Sequence, residues 1–183
     1  MTPPYEWRVQ TTICISAVSS QSAGKRLWGV MKLRIRKAAK NDLSRIAEIF
    51  VFNNRINYFP IFKQEEYSFG QLQVVSVIDG YFGKEEILNS LYVAEQQGIV
   101  KGFLEIRGTE IVKLYVDPCF QSGGIGHGLM EFAAGTLNAD FLWALEKNTR
   151  ARAFYHRHGF IENGEREFEE GTTEYLLKLV RKN

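Results

Sequence analysis

The stretch Glu110-Ile111-Val112-Lys113-Leu114-Tyr115-Val116-Asp117-Pro118-Cys119-Phe120-Gln121-Ser122-Gly123-Gly124-Ile125-Gly126-His127-Gly128 decides how the chain folds. Ile111 to Val116 reads as a strand, and Ile125 to Leu137 carries apolar residues at helical spacing. Between them lies a glycine-rich turn whose bare backbone N–H groups can point at one place. A helix N-terminus adds unpaired donors and partial positive charge there, so the turn is a candidate phosphate cradle. The chain therefore reads as a binder of a phosphorylated cofactor.

The turn excludes two common nucleotide loops. A P-loop ends in Gly-Lys-Ser/Thr to hold terminal phosphates and magnesium. Here Gly126 leads into His127 and Gly128, and the Gly-Lys pairs elsewhere lead into Arg26 and Glu85. The dinucleotide fingerprint needs a further glycine where the chain has Leu129. What is present is Gln-x-x-Gly-x-Gly, from Gln121 through Gly124 to Gly126. This pattern resembles the pyrophosphate loop of the GNAT superfamily of N-acetyltransferases, and Leu114-Tyr115-Val116-Asp117-Pro118 is similar to that family's fourth strand and its exit.

A second segment extends the resemblance. Asn148 is followed seven residues later by Tyr155, in a segment running to Gly159 and Phe160 that is similar to the family's Asn…Ala-x-x-Phe-Tyr-x-x-x-Gly-Phe, except that here Ala153 directly precedes Phe154. Each residue also has a plain structural reading. Asn148 is a good helix N-cap. Ala151, Phe154 and His158 share helical spacing and suit a core. Gly159 suits a helix stop. The resemblance spans roughly Lys32 to Arg181.

Composition sets the outer bounds. The 183 residues, 45% hydrophobic and 24% charged, suit one globular domain with a real core. A formal net charge of +2 gives no electrostatic footprint for nucleic acid. Cys14 and Cys119 make neither a disulfide framework nor a metal spacing, so a reducing, cytoplasmic setting is expected. No apolar run reaches a membrane span. Residues 1–30 differ from the rest: a short Ser/Thr-containing apolar run, too weak for a signal peptide. They read as an N-terminal extension ahead of a domain over 31–183, with Met31 an alternative start.

Along the chain, Leu33 and Ile35 mark a first strand, and Asn41 and Asp42 start a helix with Leu43, Ile46, Ala47 and Phe50 on one face. A further helix is expected over Glu65 to Ile78. Ser90–Glu95 and Val100–Arg107 form a hairpin around Gln97-Gly98, and Glu110–Val116 follows beside them. Phe141–Leu145 returns parallel through a right-handed crossover. Phe160–Phe168 and Thr173–Leu179 close as a hairpin through Glu170-Gly171. The expected fold is α/β: a mixed, mostly antiparallel twisted sheet of about seven strands with helices on both faces.

The resemblance implies acetyl-coenzyme A as acetyl donor and a primary amine as acceptor. It implies that backbone groups of Leu114, Tyr115 and Val116 take the pantetheine arm, with a backbone N–H at Val116 or its neighbour polarising the thioester carbonyl. Gln121, Ser122, Gly123, Gly124, Ile125, Gly126 and His127 would face the pyrophosphate, and Asn148 the arm. Tyr155 would return a proton to the leaving thiolate, a role for a group that titrates near ~10. Glu110 and Glu146, at strand ends, are candidate general bases and equally good solvated carboxylates. His156 and His158 lie on different helix faces, so no metal is assigned. Phe62, Tyr67, Phe69, Tyr81 and Phe82 are expected to wall the acceptor side. A homodimer stays open. The competing function is an acyl-coenzyme A sensor without transferase activity.

Overall fold

The computed structural model describes residues 32–169, 172 and 174–182. The expected extension and Met31 lie outside the described residues, as do Glu170 and Gly171 of the expected closing turn. The strands are β1 (Arg34–Lys37), β2 (Leu91–Gln96), β3 (Ile99–Arg107), β4 (Glu110–Val116), β5 (Phe141–Leu145), β6 (Phe160–Phe168) and β7 (Tyr175–Arg181). They form one seven-stranded sheet in the order β1-β2-β3-β4-β5-β7-β6. All neighbours are antiparallel except β4 and β5. The helices are α1 (Leu43–Asn57), α2 (Phe59–Phe62), α3 (Val74–Val77), α4 (Glu85–Leu88), α5 (Ile125–Gly135) and α6 (Thr149–Arg157). This is the mixed sheet with helices on both faces that the sequence led us to expect.

Local chemistry sets the turns. Gln97 and Gly98 both adopt positive φ, 57° and 75°, which gives the tight hairpin turn that follows the twist of its strands. Two cores result. On one face Leu104, Leu114, Val116, Leu129, Leu142, Phe154 and Phe160 pack beneath α5 and α6. On the other, Ile46, Phe50, Phe82, Leu91, Phe103 and Tyr115 pack beneath α1. Gly128 leaves room for Leu33 against α5: a Cβ there would sit 2.5 Å from Leu33 Cδ2, which would have to move.

The feature that positions the site is the short pairing of β4 with β5. Their register holds only Glu110↔Phe141 and Ile111↔Leu142. Beyond it the two strands part toward their C-terminal ends, the place where open α/β sheets take ligands. The sheet stays intact on either side, since β3 follows β4 to Gly102↔Val116 and β7 follows β5 to Leu145↔Leu176.

One sequence expectation fails here. The helix over Glu65–Ile78 is broken into a π-helical turn at Glu66–Gln71, an extended Gln73, α3, and a second π-helical turn at Ile78–Phe82. The break has a cause outside the segment. Arg55 of α1 donates through Nε to Ser68 O and through Nη2 to Leu72 O, both at 2.9 Å, taking up carbonyls at the break. Asp42 does not cap α1 with its side chain. Its carboxylate accepts from Arg36 at 2.7 and 3.0 Å and from the Ala39 N–H at 2.8 Å. Arg36 holds that carboxyl below its ordinary range.

Candidate functional site

The exit of β4 is clamped before the glycine loop begins. Asp117 accepts the Cys119 N–H at 2.7 Å and pairs with Arg45 of α1 at 2.5 Å. Pro118 opens a single 3-10 turn through Phe120. Gln121 then folds back, donating through Nε2 to the Val116 carbonyl at 3.1 Å. Its side chain thus braces the end of β4.

Ser122 and Gly124 lie in the left-handed region, with φ of 64° and 81°. For Gly124 this costs nothing; for Ser122 it is strain of the kind that persists when surroundings demand it. Alternating hands of backbone turn successive N–H groups inward into an anion-binding concavity. Ser122, Gly123, Gly124 and His127 are exposed, whereas Ile125 turns into the core. A Cβ on Gly126 would meet Phe154 at 3.5 Å and Val116 at 3.6 Å, ordinary contacts. The fold has room for a side chain at Gly126, so packing does not require glycine there.

A cleft of about 540 Å³ opens beside this loop, with Val116, Gln121, Ser122, Gly124, Gly126 and His127 on one side and Phe154, Arg157 and His158 of the α6 end on the other. Phe120 and Glu131 also line it. Six of the residues singled out from sequence are therefore brought together: Val116, Gln121, Ser122, Gly124, Gly126 and His127. The side chains of Leu114 and Tyr115 are buried in opposite cores, and Ile125 packs under α5. Asn148 caps α6 through Oδ1, which accepts the Ala151 N–H at 3.0 Å.

Arg157 and His158 are cleft residues that sequence reasoning missed. The signal was present: both lie one turn after Phe154 on the same helical face. His158 was instead grouped with the core, and the structure corrects this. His127 Nδ1 stands 3.0 Å from His158 Nε2, and His158 Nδ1 stands 2.9 Å from the Phe154 carbonyl. A carbonyl only accepts, so His158 carries its proton on Nδ1. His158 Nε2 then accepts from His127 Nδ1–H. His156 is separate, 2.6 Å from Glu162 Oε2. Among the described residues no cluster of three His, Cys, Asp or Glu is gathered as a metal site requires.

Tyr155 sits on the inner side of α6, fully buried, edge-on to Phe154 at 5.6 Å. Its hydroxyl has no hydrogen-bond partner among the described residues. Burial first, and then the nearby Tyr115, push its titration well above the ordinary tyrosine value. Glu110 lies at the closed end of the β4–β5 pair, opposite Phe141, and Glu146 is exposed beyond β5. Neither lines the cleft.

The aromatic residues of 62–82 do not form one wall. Phe82 is buried in the α1 core, edge-on to Phe50 and Phe103. Tyr81 reaches a buried charge cluster: its hydroxyl donates to the Glu105 carboxylate at 2.7 Å and accepts from Lys113 Nζ at 2.7 Å. Arg107 joins at Glu105 Oε1, 2.7 Å away. Glu105 and Lys113 are both fully buried and 3.2 Å apart. Burial lowers Lys113 to about 8, against the opposing pull of Glu105. Phe69 is half exposed against Phe59, Tyr67 packs on the α1 core, and Phe62 stacks on Tyr58.

Residues 88–162, from the end of α4 into β6, match the family model described as acetyltransferase (GNAT) domain. That stretch is similar to a GNAT domain. Solved structures share the chain's fold. The apo form of YjaB from Escherichia coli superposes with a TM-score of 0.65 at 22% identity, over 82% of this chain and 97% of that one. The PaiA N-acetyltransferase from Thermoplasma acidophilum, in complex with coenzyme A, gives 0.58 at 20% identity, over 84% and 100%. A spermidine N-acetyltransferase SpeG chimera from Vibrio cholerae and hSSAT gives 0.56 at 20%, over 81% and 94%. No curated protein matches the chain. No helix among the described residues is long and apolar enough to cross a membrane.

Proposed function

We propose that this GNAT-like domain transfers an acetyl group from acetyl-coenzyme A to a primary amine, by direct attack while both are bound. The observation that carries the reading is the parting of β4 from β5 directly beside the glycine loop. One end of the gap offers N–H groups for a pyrophosphate; the other holds the buried Tyr155 hydroxyl, which lacks a partner among the described residues. Gly126, where the fold tolerates a side chain but has none, fits a loop shaped by a ligand.

In this reading, N–H groups from Ser122 to His127 bind the phosphates, and Arg157 supplies positive charge at the mouth. Backbone groups of Leu114, Tyr115 and Val116 receive the pantetheine arm along the β4 edge. Asn148, besides capping α6, would position that arm. A backbone N–H near Val116 meets charge developing on the thioester oxygen. Tyr155 keeps its proton at neutral pH and gives it to the departing thiolate. Burial that raises the tyrosine raises a thiol in the same gap too, so the two remain matched. No side chain is assigned as general base; Glu110 and Glu146 both stand away from the cleft.

The test is thiol release from acetyl-coenzyme A with a panel of amines, alongside titration of coenzyme A competed by ATP or NAD. Amine-dependent release supports the transferase. Coenzyme A binding without release for any amine would leave an acyl-coenzyme A sensor, and displacement by ATP or NAD would remove the coenzyme A reading.

A further inference from the structure

Three buried polar atoms on the inner side of the strand gap have no partner among the described residues: Asn53 Oδ1, Tyr58 OH and Tyr155 OH. They are not scattered. Asn53 donates through Nδ2 to the Val116 carbonyl at 3.2 Å, at the parting end of β4. Tyr58 follows α1; its hydroxyl lies beside that of Tyr115, within reach of a weak side-chain hydrogen bond but off the geometry of a full one, with Tyr155 and Glu169 also near it. All three therefore surround Tyr115 and Val116. Buried polar atoms are nearly always satisfied, so a coincident group of orphans calls for a ligand-side partner.

The orphan on Asn53 also has a sign. Its Nδ2 faces two carbonyls, Ile49 O at 2.7 Å and Val116 O, which only accept. That fixes the orientation of the amide and leaves Oδ1 as an acceptor. What fills the site must bring an N–H or O–H. Around it, Tyr58 packs with Leu145 and Leu176, with Ile61, Phe62 and Trp143 half buried against them. The Tyr58 and Phe62 rings stack at 6.1 Å.

We infer that Asn53 and Tyr58 bind the acyl acceptor: Asn53 Oδ1 accepts from the acceptor's amine N–H, the Tyr58 hydroxyl bonds the same group, and the surrounding rings select an amine carried on an apolar body. This rests on the transferase reading above and names its substrate class. It also separates Tyr58 from a structural role. An orphaned buried hydroxyl in a purely structural tyrosine is a defect, which phenylalanine of the same shape repairs.

The experiment compares the wild-type chain with Tyr58→Phe and Asn53→Ala, using 2-phenylethylamine, spermidine and a lysine-containing peptide as acceptors. Thiol release, coenzyme A affinity and thermal unfolding are read for each. The expected result is that 2-phenylethylamine is the preferred acceptor. Tyr58→Phe raises its KM about 3- to 10-fold, the size of one hydrogen bond. Coenzyme A affinity holds and the unfolding temperature rises. Asn53→Ala raises the same KM; if it fails to fold, Tyr58→Phe decides alone. A more stable Tyr58→Phe with unchanged acceptor KM overturns the inference while the transferase stands, and so does a preference for spermidine. Weaker coenzyme A binding in Tyr58→Phe moves the orphans to the pantetheine side and overturns it too. Wild-type protein that binds coenzyme A but releases no thiol overturns the transferase reading first, and this inference with it.

Discussion

The two ends of the β4–β5 gap are built by different means. At the loop end, the groups proposed to act are backbone N–H donors in one continuous run, Ser122 to His127, on a turn set by left-handed residues and a helix start. At the inner end they are side chains from α1, β4 and α6: Asn53, Tyr58, Tyr115 and Tyr155. A backbone site is local in sequence and leaves a motif. A side-chain site is assembled across roughly a hundred residues by packing, and no spacing rule announces it. This difference predicts that the loop end breaks by adding atoms, while the inner end breaks by deleting them.

Adding charge at the loop end gives the largest effect. Gly126→Asp places a carboxylate against bound phosphates. At about 4 Å and a surface-like dielectric that repulsion is worth ~4 kcal/mol, or about 10³-fold in coenzyme A affinity. Because a Cβ at Gly126 meets only ordinary contacts, the protein should unfold at nearly the wild-type temperature. Gly126→Ala is the control, with intact folding and a smaller loss of affinity. Unchanged affinity in Gly126→Asp, by calorimetric titration, would remove the phosphate cradle.

Deleting one atom at the inner end comes next. Tyr155→Phe keeps the ring and loses the orphaned hydroxyl, so kcat should fall about 10²–10⁴-fold if proton delivery limits turnover. Coenzyme A affinity should hold, and stability should hold or rise. The loss in kcat should shrink at low pH, where water protonates the thiolate more readily. A full-rate Tyr155→Phe would take Tyr155 out of the chemistry.

The same contrast explains what was legible in the sequence. The strands β2 to β5, the crossover, the glycine loop and α6 were readable because each follows a local period or turn. Residues 65–82 were not, because Arg55, distant in sequence, takes carbonyls from the segment and breaks its helix. Tyr81 looked like a wall of the acceptor pocket and is a partner of Glu105 and Lys113, two charges on strands whose burial no single-strand pattern reveals. His158 was misplaced for a subtler reason. Helical spacing put it correctly on the face of Phe154, but that face runs out of the core and into the cleft within one turn.

The buried charge cluster offers a pH test beneath the inner end. Lys113 is lowered by burial from 10.5 to about 8 in the folded protein. Between those values the unfolded chain binds more protons than the native one, so stability rises as pH climbs through that window. Above about 10, unfolded tyrosines lose protons that Tyr58, Tyr81 and Tyr155 keep, and stability falls again. The unfolding temperature should therefore peak between the two. Lys113→Met should abolish the rising limb and cost about 1–3 kcal/mol at neutral pH, since Tyr81 and Arg107 still bond the buried Glu105. A pH profile of Lys113→Met that parallels the wild type would show that Lys113 is not what titrates there.

Asn148 has one observed role and one proposed role, and the smallest effect tests whether it plays both. As an N-cap, its Oδ1 accepts the Ala151 N–H at 3.0 Å, and Asn148→Ala should cost about 1 kcal/mol of stability. Serine is an equally good cap but has a shorter side chain without an amide. Asn148→Ser should therefore restore the unfolding temperature whatever else the residue does. If Asn148 only caps α6, Asn148→Ser also keeps wild-type coenzyme A affinity, and the loss in Asn148→Ala is a by-product of fraying beneath Tyr155. If the amide positions the pantetheine arm, the two variants lose affinity alike, about 3- to 10-fold for one hydrogen bond, while only the alanine variant is less stable. The second outcome is expected from the proposed function. The first would make α6 a scaffold for Tyr155 and Arg157 and leave the arm to the backbone of β4.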